Sequence, residues 1–109
     1  MTFELRILPR AEKDAQHIFE YIAKHSPGGA ARWWEALQHA VGKIIENPDR
    51  FGYAPENYLA DFDLRQFLFK TRHGRNYRGI FAVIDNEICI LRIRGPGQAA
   101  LGSDEIALR

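Results

Sequence analysis

Apolar and polar residues alternate through Phe3-Glu4-Leu5-Arg6-Ile7-Leu8 and the run ends at Pro9, which predicts a first strand. Ala11, Ala15, Ile18, Phe19 and Ile22 then recur at spacings of three and four, marking one apolar face of a helix. Ser26-Pro27 reads as a helix start, with serine as N-cap and proline at the first helical position. Ala30, Trp34, Leu37, Val41, Ile44 and Ile45 carry the helical period to Asn47-Pro48, where the residue before proline is driven out of the helical region. So short a gap between the helices predicts an antiparallel helical hairpin. A loop over residues 49–61, broken by Gly52, Pro55 and Asn57, leads to two strands, Leu64–Lys70 and Asn76–Ile84, and a third over Ile88–Arg94. Asp85-Asn86 suits a tight hairpin turn because both residues tolerate positive φ. The Tyr77–Ile84 strand is apolar on both faces, which makes it central, with a helix on one face. Gly95-Pro96-Gly97 ends the sheet and starts a tail. The predicted order is β-α-α-β-β-β, an α+β fold with a helical hairpin packed on a small, mainly antiparallel sheet.

At 109 residues, 46% of them hydrophobic and 27% charged, the chain fits one globular domain with one modest core. The N-terminus lacks the basic segment and long apolar run of a signal peptide, and no apolar stretch approaches a membrane span. Both absences lead us to expect a cytoplasmic protein with no membrane association. The single Cys89 excludes an intrachain disulfide and a multi-cysteine zinc site. Its neighbours Ile88, Ile90 and Leu91 point to a buried structural thiol rather than a nucleophile. His17, His25 and His39 are scattered along the helices, and only His17 has acids nearby, Asp14 and Glu20. No metal or cofactor is expected, and no P-loop, nucleophile elbow or dinucleotide motif is present.

Charge changes the picture more than composition does. The net charge is only +1, yet between Asp63 and Asp85 there is no acid, while Arg65, Lys70, Arg72, Arg75 and Arg78 lie there with His73. Residues 49–63 hold Asp49, Glu56, Asp61 and Asp63 against Arg50 alone. Cations on or beside a rigid sheet form a surface for phosphate or another polyanion. They also serve simply to solubilise strand edges and block edge pairing, and charge alone leaves the two readings level.

Taken in order, several segments resemble the RelE/ParE superfamily of bacterial toxin–antitoxin toxins. They are Pro9-Arg10-Ala11-Glu12-Lys13-Asp14, Tyr21-Ile22-Ala23-Lys24-His25-Ser26-Pro27, Ile44-Ile45-Glu46-Asn47-Pro48, Leu64-Arg65-Gln66, Tyr77-Arg78-Gly79-Ile80-Phe81, and the Asp85-Asn86 turn into Ile90-Leu91-Arg92-Ile93-Arg94. No single segment is specific; the ordered set is, over about residues 3–94. The resemblance implies a small growth-inhibiting cytoplasmic toxin wrapped by a cognate antitoxin, as a homodimer or a toxin–antitoxin hetero-oligomer. RelE-like members cut messenger RNA on the ribosome and ParE-like members act on DNA gyrase; the hairpin at Ser26-Pro27 and the long second helix look more like ParE. Arg78 falls where the RelE pattern has a catalytic arginine, and Arg65 and Lys70 lie near its lysine-bearing strand. The second catalytic arginine of that pattern falls near Gln98 here, and the segment from Gly95 to Ala100 offers neither that arginine nor a Tyr or His for proton transfer.

The candidate target-binding set is therefore Arg65, Lys70, Arg72, Arg75, Arg78, Arg92 and Arg94, with Arg78, Arg65 and Lys70 the catalytic candidates should the chain be a nuclease. Alternation places Arg92 and Arg94 on the face of Ile88 and Ile90, where Asp61 or Asp63 could pair with them. Trp33 and Trp34 point about 100° apart on a helix. The apolar period assigns Trp34 to the core and leaves Trp33, with Phe67 and Phe69, to bind a partner. Three functions remain in view: a ParE-like gyrase inhibitor, a RelE-like metal-independent ribonuclease, and a non-toxic binding module on the same fold.

Overall fold

The computed structural model describes residues 3–108. It contains β1 (Glu4–Ile7), α1 (Pro9–His25), α2 (Pro27–Glu46), β2 (Leu64–Phe69), β3 (Tyr77–Ile84) and β4 (Glu87–Arg94). Short 3-10 turns at Pro48–Arg50, Pro55–Leu59 and Ser103–Glu105 punctuate the connections. Ser26 alone joins the two helices. Its amide donates to the Ile22 carbonyl at 2.8 Å, closing α1, and its Oγ accepts the Gly29 amide at 2.9 Å, capping α2. Asp85 turns the β3–β4 hairpin with φ at 55°.

The sheet runs β1-β4-β3-β2, with β1 parallel to β4 and the other pairs antiparallel. One face carries the helices. There Ala11, Ala15, Leu37, Val41 and Ile44 meet Phe67, Phe69, Phe81, Ile88, Ile90 and Ile93. Gly79 is required on this face because the ring of Phe67, its cross-strand partner, occupies the space a Cβ would need. The opposite face has a core of its own, in which Leu64, Ile80, Ala82, Cys89 and Leu91 are covered by Leu8, Ala54, Leu101 and Ile106. The packed structure thus continues past Arg94, where the sequence pattern placed the end of the core. Leu101 and Ile106 stand in a Gly- and Ala-rich stretch with no strand or helix period, so only the tertiary contact reveals them.

Two sequence expectations are corrected here. Trp33 is 1% exposed and Trp34 43%, the reverse of the assignment. Both residues satisfy a three-to-four spacing from Ala30 to Leu37, so periodicity could not choose between them. The choice is made by the sheet, where Trp33 meets Phe69 at 5.7 Å and Tyr77 at 5.6 Å between ring centroids. Phe67 and Phe69 are buried in the same cluster, so none of the three expected partner contacts is exposed. The second correction concerns β4, where the β3 register jumps: Phe81 pairs with Ile90 but Ile80 pairs with Arg92. Leu91 is the additional residue of a β-bulge. Beyond it Ile93, not Arg92 or Arg94, shares the helix face with Ile88 and Ile90.

Candidate functional site

The bulge decides where the cations go. Arg94 is the direct cross-strand partner of Arg78, so these two arginines stand side by side on the face away from the helices. They line a cleft of about 260 Å³ with Leu68, Tyr77, Gly97 and Gln98. Arg78 is not free there. Its Nη1 donates to Glu56 Oε1 at 2.9 Å, its Nη2 donates to Glu56 Oε2, and Gln66 Oε1 accepts a longer bond of 3.3 Å. Glu56 is 1% exposed and also accepts the Leu101 amide at 3.0 Å. The hydrogen bond from Arg78 holds the Glu56 carboxyl well below its ordinary 4.5, at about 2, against the opposing effect of burial. Arg78 is therefore the centre of an ion pair that fastens the 3-10 turn at Pro55–Leu59, β3 and the tail together. Arg94 donates from Nη2 to the Ala99 carbonyl at 2.6 Å, while its Nε is buried with no partner among the described residues.

Arg92 is consumed in the same way, but neither Asp61 nor Asp63 is its partner. Its Nε and Nη2 donate to Asp14 Oδ2 and Oδ1 at 2.7 and 2.9 Å, and Glu105 lies 3.6 Å away. The Ile93 amide donates to the same Asp14 Oδ2 at 3.0 Å. Pro9 follows β1, so among the described residues β4 has no strand beside it past Ile90; the Asp14 carboxylate satisfies part of that bare edge. The pairing raises the already high Arg92 pKa, with Asp14 the largest cause. Arg65 is anchored to the loop before β2. It donates to the Phe51 carbonyl and lies 4.6 Å from the ring centroid of Tyr53. Lys70, Arg72, His73 and Arg75 are exposed around the β2–β3 turn, and among the described residues none of them has an ion-pair partner. Of the seven predicted cations, the structure brings Arg78 and Arg94 together, ties Arg65 and Arg92 to other elements, and leaves Lys70, Arg72 and Arg75 facing solvent.

A larger concavity lies elsewhere. A groove of about 580 Å³ opens between α1 and α2 down to the sheet, lined mainly by Ala15, Phe19, Trp34, Val41, Ile7 and Ile93. Trp34 meets Phe19 edge to face at 6.2 Å on its wall. The sequence leads us to expect an exposed apolar groove for a partner, but it places that surface at Trp33, Phe67 and Phe69 and sends Trp34 inward, so it does not give the position of the groove. It also misses Glu56 and Asp14, although Asp14 sits one residue before Ala15 on the apolar side of α1, which is a signal for a half-buried carboxylate with a partner. Among the described residues no three His, Cys, Asp or Glu side chains come together as a metal site.

A comparison with curated protein sequences gave no match. Among solved structures, a mutant of the E. coli toxin RelE in the free state, with two of its arginines replaced by alanine, is similar over 89% of this chain and 86% of its own, at 20% identity and a TM-score of 0.52. The toxin–antitoxin complex RelBE2 from Mycobacterium tuberculosis contains a chain similar over 86% of this one and 98% of its own, at 23% identity and a TM-score of 0.50. At those identities the likeness establishes the α+β fold, two helices on a four-stranded mixed sheet, and nothing finer. The family described as the ParE toxin of type II toxin–antitoxin system, parDE, matches residues 5–99. With that span of the chain accounted for, this protein belongs to the ParE toxin family.

Proposed function

We propose that this toxin inhibits DNA gyrase and is neutralised by an antitoxin helix lying in the α1–α2 groove. The choice of target rests on the state of Arg78. A ribonuclease of the RelE kind needs cations free to stabilise charge developing on a phosphorane, and here the strand-borne arginine is held by both oxygens of a buried carboxylate. Residues 95–100 supply no second arginine and no aromatic or imidazole proton donor. Loss of one oxyanion-stabilising donor typically lowers a rate about a hundredfold to a thousandfold, and several are missing together. The reading puts the protein at work in the cytoplasm, where gyrase is found. Lys70, Arg72 and Arg75 form the cationic surface offered to the target, since no ion pair among the described residues engages them.

The antitoxin site is supported by shape and by chemistry. The groove is apolar, it is walled by both helices of the hairpin, and an exposed aromatic, Trp34, stands on its wall. An amphipathic helix set into such a groove buries its own apolar face. The M. tuberculosis structure is itself a toxin–antitoxin complex. One observation favours the RelE-like reading: Arg94 stands beside Arg78 at the cleft with its Nε unpartnered. Purified toxin should inhibit gyrase supercoiling and leave ribosome-bound messenger uncut. Codon-positioned cleavage in a translating extract, with supercoiling unaffected, overturns the assignment in favour of the ribonuclease.

A further inference from the structure

We infer that the outer edge of β1 pairs with β1 of a second copy, antiparallel about a two-fold axis through Leu5, joining two four-stranded sheets into one. All four residues of β1 are exposed, Leu5 and Ile7 each at 38%, although the strand belongs to the central sheet. The amide of Glu4 donates to Asn86 at 2.8 Å and that of Leu8 to Ile90 at 3.0 Å. The backbone groups of even-numbered residues therefore face β4, and the N–H and C=O groups of Leu5 and Ile7 point outward with no strand among the described residues to receive them. Soluble proteins commonly protect such an edge with short strands, charged side chains, a proline or a bulge. This strand is short and has no proline or bulge between Glu4 and Ile7, and its charges are one acid and one base, two residues apart, so they do not repel a second copy.

That spacing makes the edge complementary to itself. With Leu5 opposite Leu5 of the second copy, Glu4 falls opposite the second copy's Arg6, and Arg6 opposite its Glu4. Leu5 is then a hydrogen-bonded pair with its counterpart, and the two N–H groups and two C=O groups that point outward there satisfy each other. Glu4 and Arg6 occupy the non-hydrogen-bonded positions, where side chains of paired strands come closest. Ile7 falls opposite Phe3, so the apolar residues also meet. Backbone polarity, charge and hydrophobicity select the same register, and shifting it by one residue spoils all three. The intrachain partner of Arg6 is Glu87, at 3.8 Å with both side chains well exposed, too loose a pair to hold the guanidinium away. A two-fold interface of this kind is isologous. It is also small, which sets the expectation of a weak, reversible dimer with a dissociation constant on the order of 100 μM.

Analytical ultracentrifugation of the purified toxin should show a weight-average mass rising toward that of a dimer with concentration. Glu4→Lys and Arg6→Glu should each remain monomeric, because each sets like charges opposite one another across the axis. An equimolar mixture of the two should regain association, since each position then meets an opposite charge in the heterodimer alone. Leu5→Pro removes an outward N–H without touching the bonds to β4 and should abolish association while leaving the thermal midpoint close to wild type. Wild-type protein that stays monomeric to about 1 mM overturns the inference, and leaves the edge to a strand from another protein such as an antitoxin. Association that persists in both single charge variants overturns it too, placing the contact on another face.

Discussion

At the scale of single residues, the arginine that looks most like a catalytic group is the one most firmly held. Glu56 and Arg78 form a buried, bidentate pair, and removing one partner of such a pair typically costs about 3–5 kcal/mol because the other charge is left uncompensated. Glu56→Ala should therefore lower the thermal midpoint sharply, as read by circular dichroism. The same carboxyl governs the acid limb of stability. Its folded pKa, about 2, lies below the ordinary 4.5, so its contribution is fully present above about pH 4.5 and is lost as pH falls toward 2. A depression of that size corresponds to roughly 3 kcal/mol. Urea titrations between pH 5 and 2 should show that loss in the wild type and a flatter limb in Glu56→Gln. The remaining cations divide by partner rather than by position in sequence. Arg65→Ala loses a hydrogen bond to Phe51 and the face of Tyr53, at a cost of about 1–2 kcal/mol, whereas Arg72→Ala and Arg75→Ala should each change stability by under about 0.5 kcal/mol. Should those two variants lose toxicity with their fold intact, the β2–β3 turn is the target surface; full toxicity in the double variant removes it.

At the scale of elements, nearly every strand and helix is legible in the sequence, because each carries its own local signal. Alternation marks β1, Ser26-Pro27 marks the hairpin joint, Asn47-Pro48 ends α2, and Asp85-Asn86 turns β3 into β4. What is not legible is the position of side chains where two elements must agree. The β-bulge at Leu91 has no signature in Ile90-Leu91-Arg92-Ile93, four residues that read equally well as regular strand, yet it moves Arg92 and Arg94 to the other face. Trp33 and Trp34 present the same difficulty on a helix, where the decision belongs to Phe69 and Tyr77 across the core. Asp14 shows how one element depends on another. It is an α1 residue that satisfies the bare edge of β4 through Arg92 and the Ile93 amide. Asp14→Ala should cost about 2–3 kcal/mol, as expected for hydrogen bonds to a charged group. Hydrogen exchange at the Ile93 amide should quicken far more than at Ile88, which keeps its place beside β1; equal effects at both amides would mean that Asp14 acts on the whole fold rather than on this edge.

At the scale of the whole molecule, the sheet is covered twice, and the segment after the last strand forms part of the second cover, beside Leu8 and the loop before β2. Leu101 and Ile106 close the face holding Leu64, Ile80, Ala82, Cys89 and Leu91. The Leu101 amide also reaches Glu56, Glu105 lies near Arg92, and Arg10 donates to the Asp104 carbonyl at 2.8 Å. Burying a leucine or isoleucine side chain is worth about 1.5–3 kcal/mol, so losing two such side chains and their polar anchors removes a large share of the roughly 5–15 kcal/mol that holds a domain folded. Deleting residues 98–109 should therefore lower the thermal midpoint by at least about 10 °C. Cys89 supplies an independent reporter beneath this cover. It is buried, and burial first, then the hydrogen bond to Glu87, pushes its thiol up to about 11. Little thiolate exists at pH 8, and burial limits the approach of a disulfide reagent. In the full chain the thiol should resist such a reagent for as long as the fold persists, whereas in the truncated chain it should react at a rate approaching that of a small-molecule thiol. A truncated chain with an unchanged midpoint and a protected Cys89 would show that the helix-side core alone sustains the fold and that the tail merely rests on the sheet.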